Sequence, residues 1–324
     1  SVDYQEAAHW YRELLASFPD DAQAAHHRFL LAELLYEDKR FAEAIQEYEQ
    51  TAYGYPPHPQ SADAGYAALL AHAQLQKKAD APALPALQRE AVASALRFAK
   101  AFPADTRTGP VLSDAAEKLY ALNDAGQAAQ VAQQVLDLNP PAADNQRRVA
   151  WTVLAHAAFE RQAFDKAEHA YAQVLLLTPA QAPGRKDLIE RQAAAVYKQG
   201  EQARSAGQLS NAVAHFSRVA SIAPQSAVRA SAQFDAAAAQ IAMKDWASAA
   251  ALLEDFRQRF PQHALQGEIA PKLALAYTEQ GQWGKAAGEF ERVAGSHADA
   301  AVARDALWQA AEMHEKAGAR AAAT

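Results

Sequence analysis

The chain has 324 residues, a formal charge of −7 and no cysteine. The missing cysteine excludes disulfides, thiolate metal sites and cysteine nucleophiles, and the negative charge disfavours a nucleic-acid backbone, which needs a basic face. Half of the residues are hydrophobic, enough for a substantial core, but only 13 glycines and 15 prolines serve turns. This balance indicates long helices with short connections. No apolar run reaches the roughly 18 residues of a membrane span.

Seven prolines recur along the chain at intervals of 37 to 47 residues, and each follows a stretch with helical hydrophobic spacing. They are Pro19, Pro56, Pro103, Pro140, Pro179, Pro224 and Pro261. Proline cannot continue a helix, so each one is expected to end a helical pair. A recurring unit of this length predicts a helical solenoid, in which each unit packs only on its neighbours.

Taken in chain order, the units differ in length and completeness. The first begins part-way, because residues 3–18 match only a second helix. In the third unit we expect a first helix from about Ala62 to Lys77. An insertion near 78–86 then delays the second helix to Leu87, and another insertion lies near 180–187. The last residues match a first helix alone, with Trp308 on it. The half-units at both ends indicate a fragment cut from a longer array.

The clearest unit runs from Trp151 to Pro179, with the sequence WTVLAHAAFERQAFDKAEHAYAQVLLLTP. It resembles a tetratricopeptide repeat, whose pattern is W-x₂-L-G-x₂-Y, then A-x₃-F, then P. The matching residues are Trp151, Leu154, Ala155, Ala167, Tyr171 and Pro179. The resemblance implies an all-α, right-handed superhelical solenoid of about eight such helix pairs, with half-repeats at both ends. Residues 1–324 would form a single array.

Catalytic and metal-binding patterns are absent from the sequence. Eleven histidines are scattered, no HExxH motif occurs, and the adjacent His26 and His27 point about 100° apart on a helix. There is no G-x-S-x-G elbow, Walker loop or dinucleotide fingerprint either. Gly200 and Gly207 are spaced like the glycines of the repeat itself. We therefore predict a protein without enzymatic activity, metal or cofactor.

The surface expected to carry function is the concave groove. In the tetratricopeptide family, positions 2, 5, 9, 12 and 13 of each first helix usually line it. The matching candidates are Phe29, Glu33, Tyr36, Glu37, Glu117, Tyr120, His156, Phe159, Glu160, Tyr197, Glu201, Arg204, Phe234 and Ile241. Aromatic rings beside carboxylates suit a peptide with basic and apolar side chains, or the stacking of sugar rings. For each aromatic, packing between neighbouring first helices is an equally good interpretation.

One way in which members of the family recognise a ligand can be checked directly against the residues of this sequence. Chaperone cofactors hold an acidic C-terminal peptide with lysine at position 5 and asparagine at position 9. Here those positions carry aromatic, threonine, acidic, histidine or alanine residues, for example Phe29 with Glu33 and Thr152 with His156. This carboxylate clamp is absent, so a chaperone tail is not the expected ligand.

The leading hypothesis is a scaffold that binds a protein or peptide. Its Phe-Pro closures, as at Phe18-Pro19 and Phe260-Pro261, resemble those of bacterial envelope repeat proteins, including outer-membrane assembly lipoproteins. A periplasmic or outer-membrane-associated location and a cytoplasmic location are about equally favoured. No signal peptide is visible in the sequence. One alternative is a polysaccharide-export module, with sugar as ligand. Another is a structural array that serves only as a spacer or for self-association.

Overall fold

The structure is a computed structural model, and it describes residues 2–296 and 299–318. Within these residues it has sixteen α-helices and a short 3-10 helix, Ala264–Glu268. The helices are α1 (Val2–Ser17), α2 (Ala24–Glu37), α3 (Phe41–Tyr53), α4 (Ser61–Lys78), α5 (Leu84–Ala101), α6 (Thr108–Ala121), α7 (Ala125–Leu136), α8 (Asp144–Glu160), α9 (Phe164–Leu176), α10 (Arg185–Ser205), α11 (Leu209–Ile222), α12 (Arg229–Ala242), α13 (Trp246–Arg259), α14 (Ile269–Glu279), α15 (Trp283–Ser296) and α16 (Ala300–Lys316). The predicted all-α class and its number of helices are confirmed.

The chain divides into two compact units, residues 1–157 and 158–324. In the first unit, each helix from α1 to α7 packs on the next one along the chain. In the second unit the same holds from α9 to α16. Contacts between sequence neighbours are the pattern of a repeat protein, in which no single pair buries its apolar faces alone. The seven repeat prolines lie shortly after the second helices, as predicted.

Small residues lie at the helix crossings. Ala155, Ala167 and Ala249 have no exposed surface, as expected for positions at which two helix axes approach closely. Gly200 of α10 lies at a very close approach, because a Cβ atom there would lie 2.5 Å from the Phe216 ring of α11. Large side chains such as Phe216 fill the space beside these crossings. Hence the alanine-rich composition serves close packing more than large buried area.

Six helix pairs are closed by the same type of turn. The second residue after the first helix has positive φ, and the N–H of the following residue donates to the carbonyl five residues earlier. The six residues are Lys39, Asn123, Gln162, Gly207, Lys244 and Gly281. This is the Schellman arrangement, which satisfies the last carbonyls of a helix. The connection between α4 and α5 lacks it and runs as a longer loop, residues 79–83.

The sequence analysis predicted the start of one helix, α5, too far along the chain. The second helix of the third unit was expected from Leu87, but α5 begins at Leu84 and holds Pro85 in its first turn. Proline is tolerated there because the first N–H groups of a helix have no partner within the helix. The inserted loop is therefore shorter than predicted. The predicted start and end of α4 agree with the structure to within one residue.

Candidate functional site

The candidate residues on α2 surround one buried tyrosine of α3. Phe29 and Tyr36 lie with their rings 6.0 and 6.4 Å from the ring of Tyr48, and Glu33 accepts a 2.5 Å hydrogen bond from the Tyr48 hydroxyl. Burial, with the Glu33 carboxylate beside it, raises the pKa of Tyr48. Both α2 aromatics are half-buried, whereas Glu37 is exposed. This part of the candidate set therefore also holds α2 on α3.

Tyr120 of α6 and His156 of α8 come together at the other end of the first unit, with ring centroids 5.5 Å apart. Tyr120 is half-buried against the core of that unit, while Glu117, one turn earlier, is exposed. The carboxylate is thus accessible beside an aromatic pair. This is the combination that the sequence predicted for the groove.

Asp235 of α12 joins the candidates on α10. The Tyr197 hydroxyl donates to Asp235 Oδ2 at 2.6 Å, and the Arg204 guanidinium pairs with Oδ1 at 2.9 Å. Burial and the hydrogen bond to the carboxylate raise the pKa of Tyr197. Glu201 pairs with Lys198 on its own helix at 2.6 Å. Asp235 escaped the sequence analysis because a contact between helices 38 residues apart leaves no local pattern.

The remaining candidates are held mostly by packing. Phe159 lies edge-on to Phe164, with centroids 5.0 Å apart, and Glu160 beside it is exposed. Phe234 is 9% exposed and Ile241 is half-buried, both against the core of the second unit. Phe234 is thus the candidate least available to a ligand.

The structure adds a surface that the sequence analysis missed. An open cleft of about 340 Å³ lies between the first helices α4 and α6, with α5 as its floor. We call it the α4–α6 cleft, and its residues are Tyr66, Leu69, Leu70, Ala73, Gln76, Ala91, Ala95, Pro110, Val111, Asp114 and Lys118. Leu70 is 46% exposed although it is a large apolar residue. The paired leucines 69 and 70 were visible in the sequence, but the groove positions were not carried onto this stretched unit.

The edge of the α4–α6 cleft is charged. Asp114 and Lys118 form an ion pair of 2.6 Å across one turn of α6, and Asp63 on α4 pairs with Arg107 at 2.9 Å. An apolar floor with a polar rim is the usual composition of a peptide-binding cleft.

Residues 2–296 and 299–318 contain no cluster of three metal-ligating side chains and no helix long and apolar enough to cross a bilayer. Paired helices, close-packed small residues and repeat prolines define an all-α helical repeat protein whose repeat pattern resembles the tetratricopeptide repeat.

Part of the sequence is similar to a family of outer membrane lipoproteins. The family model of YfiO, an outer membrane lipoprotein, matches residues 189–270, about a quarter of the chain. The match runs from α10 into α14, outside the α4–α6 cleft. It agrees with the predicted resemblance to envelope repeat proteins. No protein of curated function matches the chain significantly in sequence.

Three solved structures that are described as tetratricopeptide proteins are similar to this chain at low sequence identity. The complex of the TPR2AB domain of yeast Sti1 with pHSP90 is 14% identical, with a TM-score of 0.41 over 92% of this chain and all of that one. A tetratricopeptide repeat protein from Parabacteroides merdae is 13% identical, with a TM-score of 0.37 over 89% and 99%. YrrB, described as having an unusual peptide-binding site, is 14% identical, with a TM-score of 0.35 over 65% and 98%.

Proposed function

We propose that this chain is a non-enzymatic scaffold whose α4–α6 cleft anchors a large apolar side chain of a protein partner. The observation that carries the proposal is Leu70, which leaves nearly half of its surface exposed at an open apolar cleft. A soluble surface rarely keeps a contiguous apolar hollow without a ligand. The volume of about 340 Å³ lies within the usual range for ligand sites.

The net charge around the cleft favours a partner segment with basic residues. Asp114 in the cleft is paired with Lys118, whereas Glu117 on the same helix is exposed and adds a negative charge beside this pair. The whole chain also carries a charge of −7, which attracts basic segments over a longer range. A partner segment with one large apolar residue between lysines or arginines therefore fits this surface best.

The test is selection of short peptides from a displayed library on the whole chain, followed by titration. Wild type should select basic peptides with one large apolar residue. Leu70→Glu should weaken them by about tenfold or more, because it places a charge in the apolar cleft. Leu176→Glu is the matched control, since Leu176 is 78% exposed on α9.

Four results would overturn the proposal. Equal affinity of wild type and Leu70→Glu would remove the cleft from the site. Selection of acidic peptides would contradict the charge argument. Binding of a neutral oligosaccharide but of no peptide would favour the polysaccharide-export alternative, and no ligand of either class would favour a spacer.

The location that fits this scaffold is the bacterial envelope. The YfiO family match supports it, because that family is described as an outer membrane lipoprotein. Protease digestion of intact cells and of spheroplasts of the native host tests the location. The chain should be cleaved in spheroplasts and protected in intact cells, and protection in both would indicate the cytoplasm.

A further inference from the structure

A second cleft lies between α3 and α5, the second helices of neighbouring pairs. It has a volume of about 420 Å³ and shares no residue with the α4–α6 cleft. We call it the α3–α5 cleft; its polar residues are Gln46, Glu49, His72, Glu90, Ser94 and Arg97. The proposed scaffold function makes no use of it.

His72 of α4 lies at the floor of the α3–α5 cleft without a hydrogen bond at one ring nitrogen. Its side chain is 5% exposed, and Nδ1 is buried without a partner within the described part of the chain. A buried polar atom left unpaired costs about 1–3 kcal/mol, so its retention needs a reason. Burial lowers the pKa of His72 although Glu49 and Glu90 oppose this, so the ring is neutral near pH 7. A neutral imidazole offers one acceptor nitrogen.

Carboxylates outnumber cationic groups on the walls of the α3–α5 cleft. Glu49 accepts from the Ser94 hydroxyl at 2.6 Å and from Arg97 at 3.3 Å. Arg97 is further held over the Tyr53 ring, 4.1 Å from its centroid. Glu90 is exposed and forms no hydrogen bond or ion pair among residues 2–296 and 299–318. Two carboxylates thus face one guanidinium, and the cleft carries a net negative charge.

We propose that the α3–α5 cleft binds an alkylammonium or guanidinium group, held between Glu90 and Glu49 with His72 as an additional acceptor. Such a group supplies several N–H donors and the missing positive charge. A divalent metal ion fits less well, because the described residues contain no cluster of three ligating side chains. The group can belong to a lysine or arginine of a partner protein or to a free polyamine.

The test uses butylammonium, agmatine and spermidine as probes on the whole chain. Binding is followed by calorimetry and by the NMR resonances of the His72 ring. We expect at least one probe to shift the His72 resonances. Glu90→Gln should weaken that probe by about tenfold or more, since it removes a carboxylate that has no structural partner. Glu279→Gln, the same change at an exposed site on α14, should leave the affinity unchanged.

The probes also distinguish the source of the group. Butylammonium and agmatine binding, with competition by lysine- or arginine-containing peptides, indicates a partner's side chain. Spermidine binding without peptide competition indicates a polyamine. The inference fails if no cation shifts the His72 resonances, or if Glu90→Gln binds as tightly as wild type. Loss of peptide binding in Leu70→Glu leaves these outcomes unchanged, because the two clefts share no residue.

Discussion

At the residue scale, the polar atoms of several groove candidates already form hydrogen bonds within the protein. The Tyr197 hydroxyl is bound to Asp235, and the carboxylate of Glu33 accepts from Tyr48. A ligand on these helices would therefore meet ring faces and aliphatic edges more than free hydroxyls. Exposed carboxylates such as Glu37 and Glu117 remain available for a basic side chain.

Gly200 gives a prediction at this scale. Gly200→Ala should lower the free energy of unfolding by about 1–3 kcal/mol, because the new methyl group would overlap the Phe216 ring that packs on α10. Gly288→Ala in the interior of α15 is the control. Nothing lies within 4 Å of its added Cβ, so alanine should stabilise that helix by about 0.5–1 kcal/mol. Urea denaturation measures both, and an unchanged midpoint for Gly200→Ala would contradict the close approach.

At the element scale, the shared turn explains how α-helical pairs of different sequence keep the same connection. The left-handed residue is glycine in two of the six turns and lysine, asparagine or glutamine in the others. A non-glycine residue in this conformation costs roughly 1–2 kcal/mol, so the geometry is imposed by the packing of the pair. The sequence placed Gly207 among the glycines of the repeat but had no signal for a left-handed residue at Lys39 or Lys244.

Lys244 provides the element-scale prediction. Lys244→Gly should raise the free energy of unfolding by roughly 0.5–1 kcal/mol, because relief of the left-handed strain exceeds the added chain entropy of glycine. Lys166→Gly in the first turn of α9 replaces an exposed lysine of ordinary helical geometry and should instead destabilise the protein. Thermal unfolding compares them, and destabilisation by both substitutions would show that the Lys244 turn is unstrained.

The helical pairs were predictable because proline spacing and apolar periodicity are local signals. Contacts between helices were not, and neither were the two clefts that depend on them. Leu70 illustrates the difference: its place in α4 followed from the pattern, but its exposure depends on the distance between α4 and α6. His72 belongs to the same class, because only the folded chain places it between Glu49 and Glu90.

At the scale of the whole molecule, contacts run mainly between neighbours in the chain. The stability of such a protein is approximately a sum of intrinsic terms and of interfaces between adjacent repeats. A destabilising substitution should therefore have its largest effect on the helices that contact the substituted residue. Each compact unit has its own core residues, among them Phe98 in the first and Phe256 in the second, both without exposed surface.

Phe98→Ala tests this at the same scale. The substitution should destabilise its surroundings by about 3–5 kcal/mol and should accelerate amide hydrogen exchange most in α4, α5 and α6. Phe256→Ala should move the strongest acceleration to α12, α13 and α14. Exchange followed by mass spectrometry resolves both patterns. Equal acceleration of all helices by either substitution would indicate one cooperative unit instead of a chain of neighbours.

The loop of residues 79–83 has a practical consequence. Six other pairs are closed by a compact turn whose hydrogen bonds tie both helix ends, and extra residues there would break the cap. The connection of α4 and α5 has no such capping turn, and its residues 80–83 are exposed. Exposed loop tips of this kind are the sites at which added chain is best tolerated. This loop is therefore the natural attachment point for a fluorophore or an affinity tag.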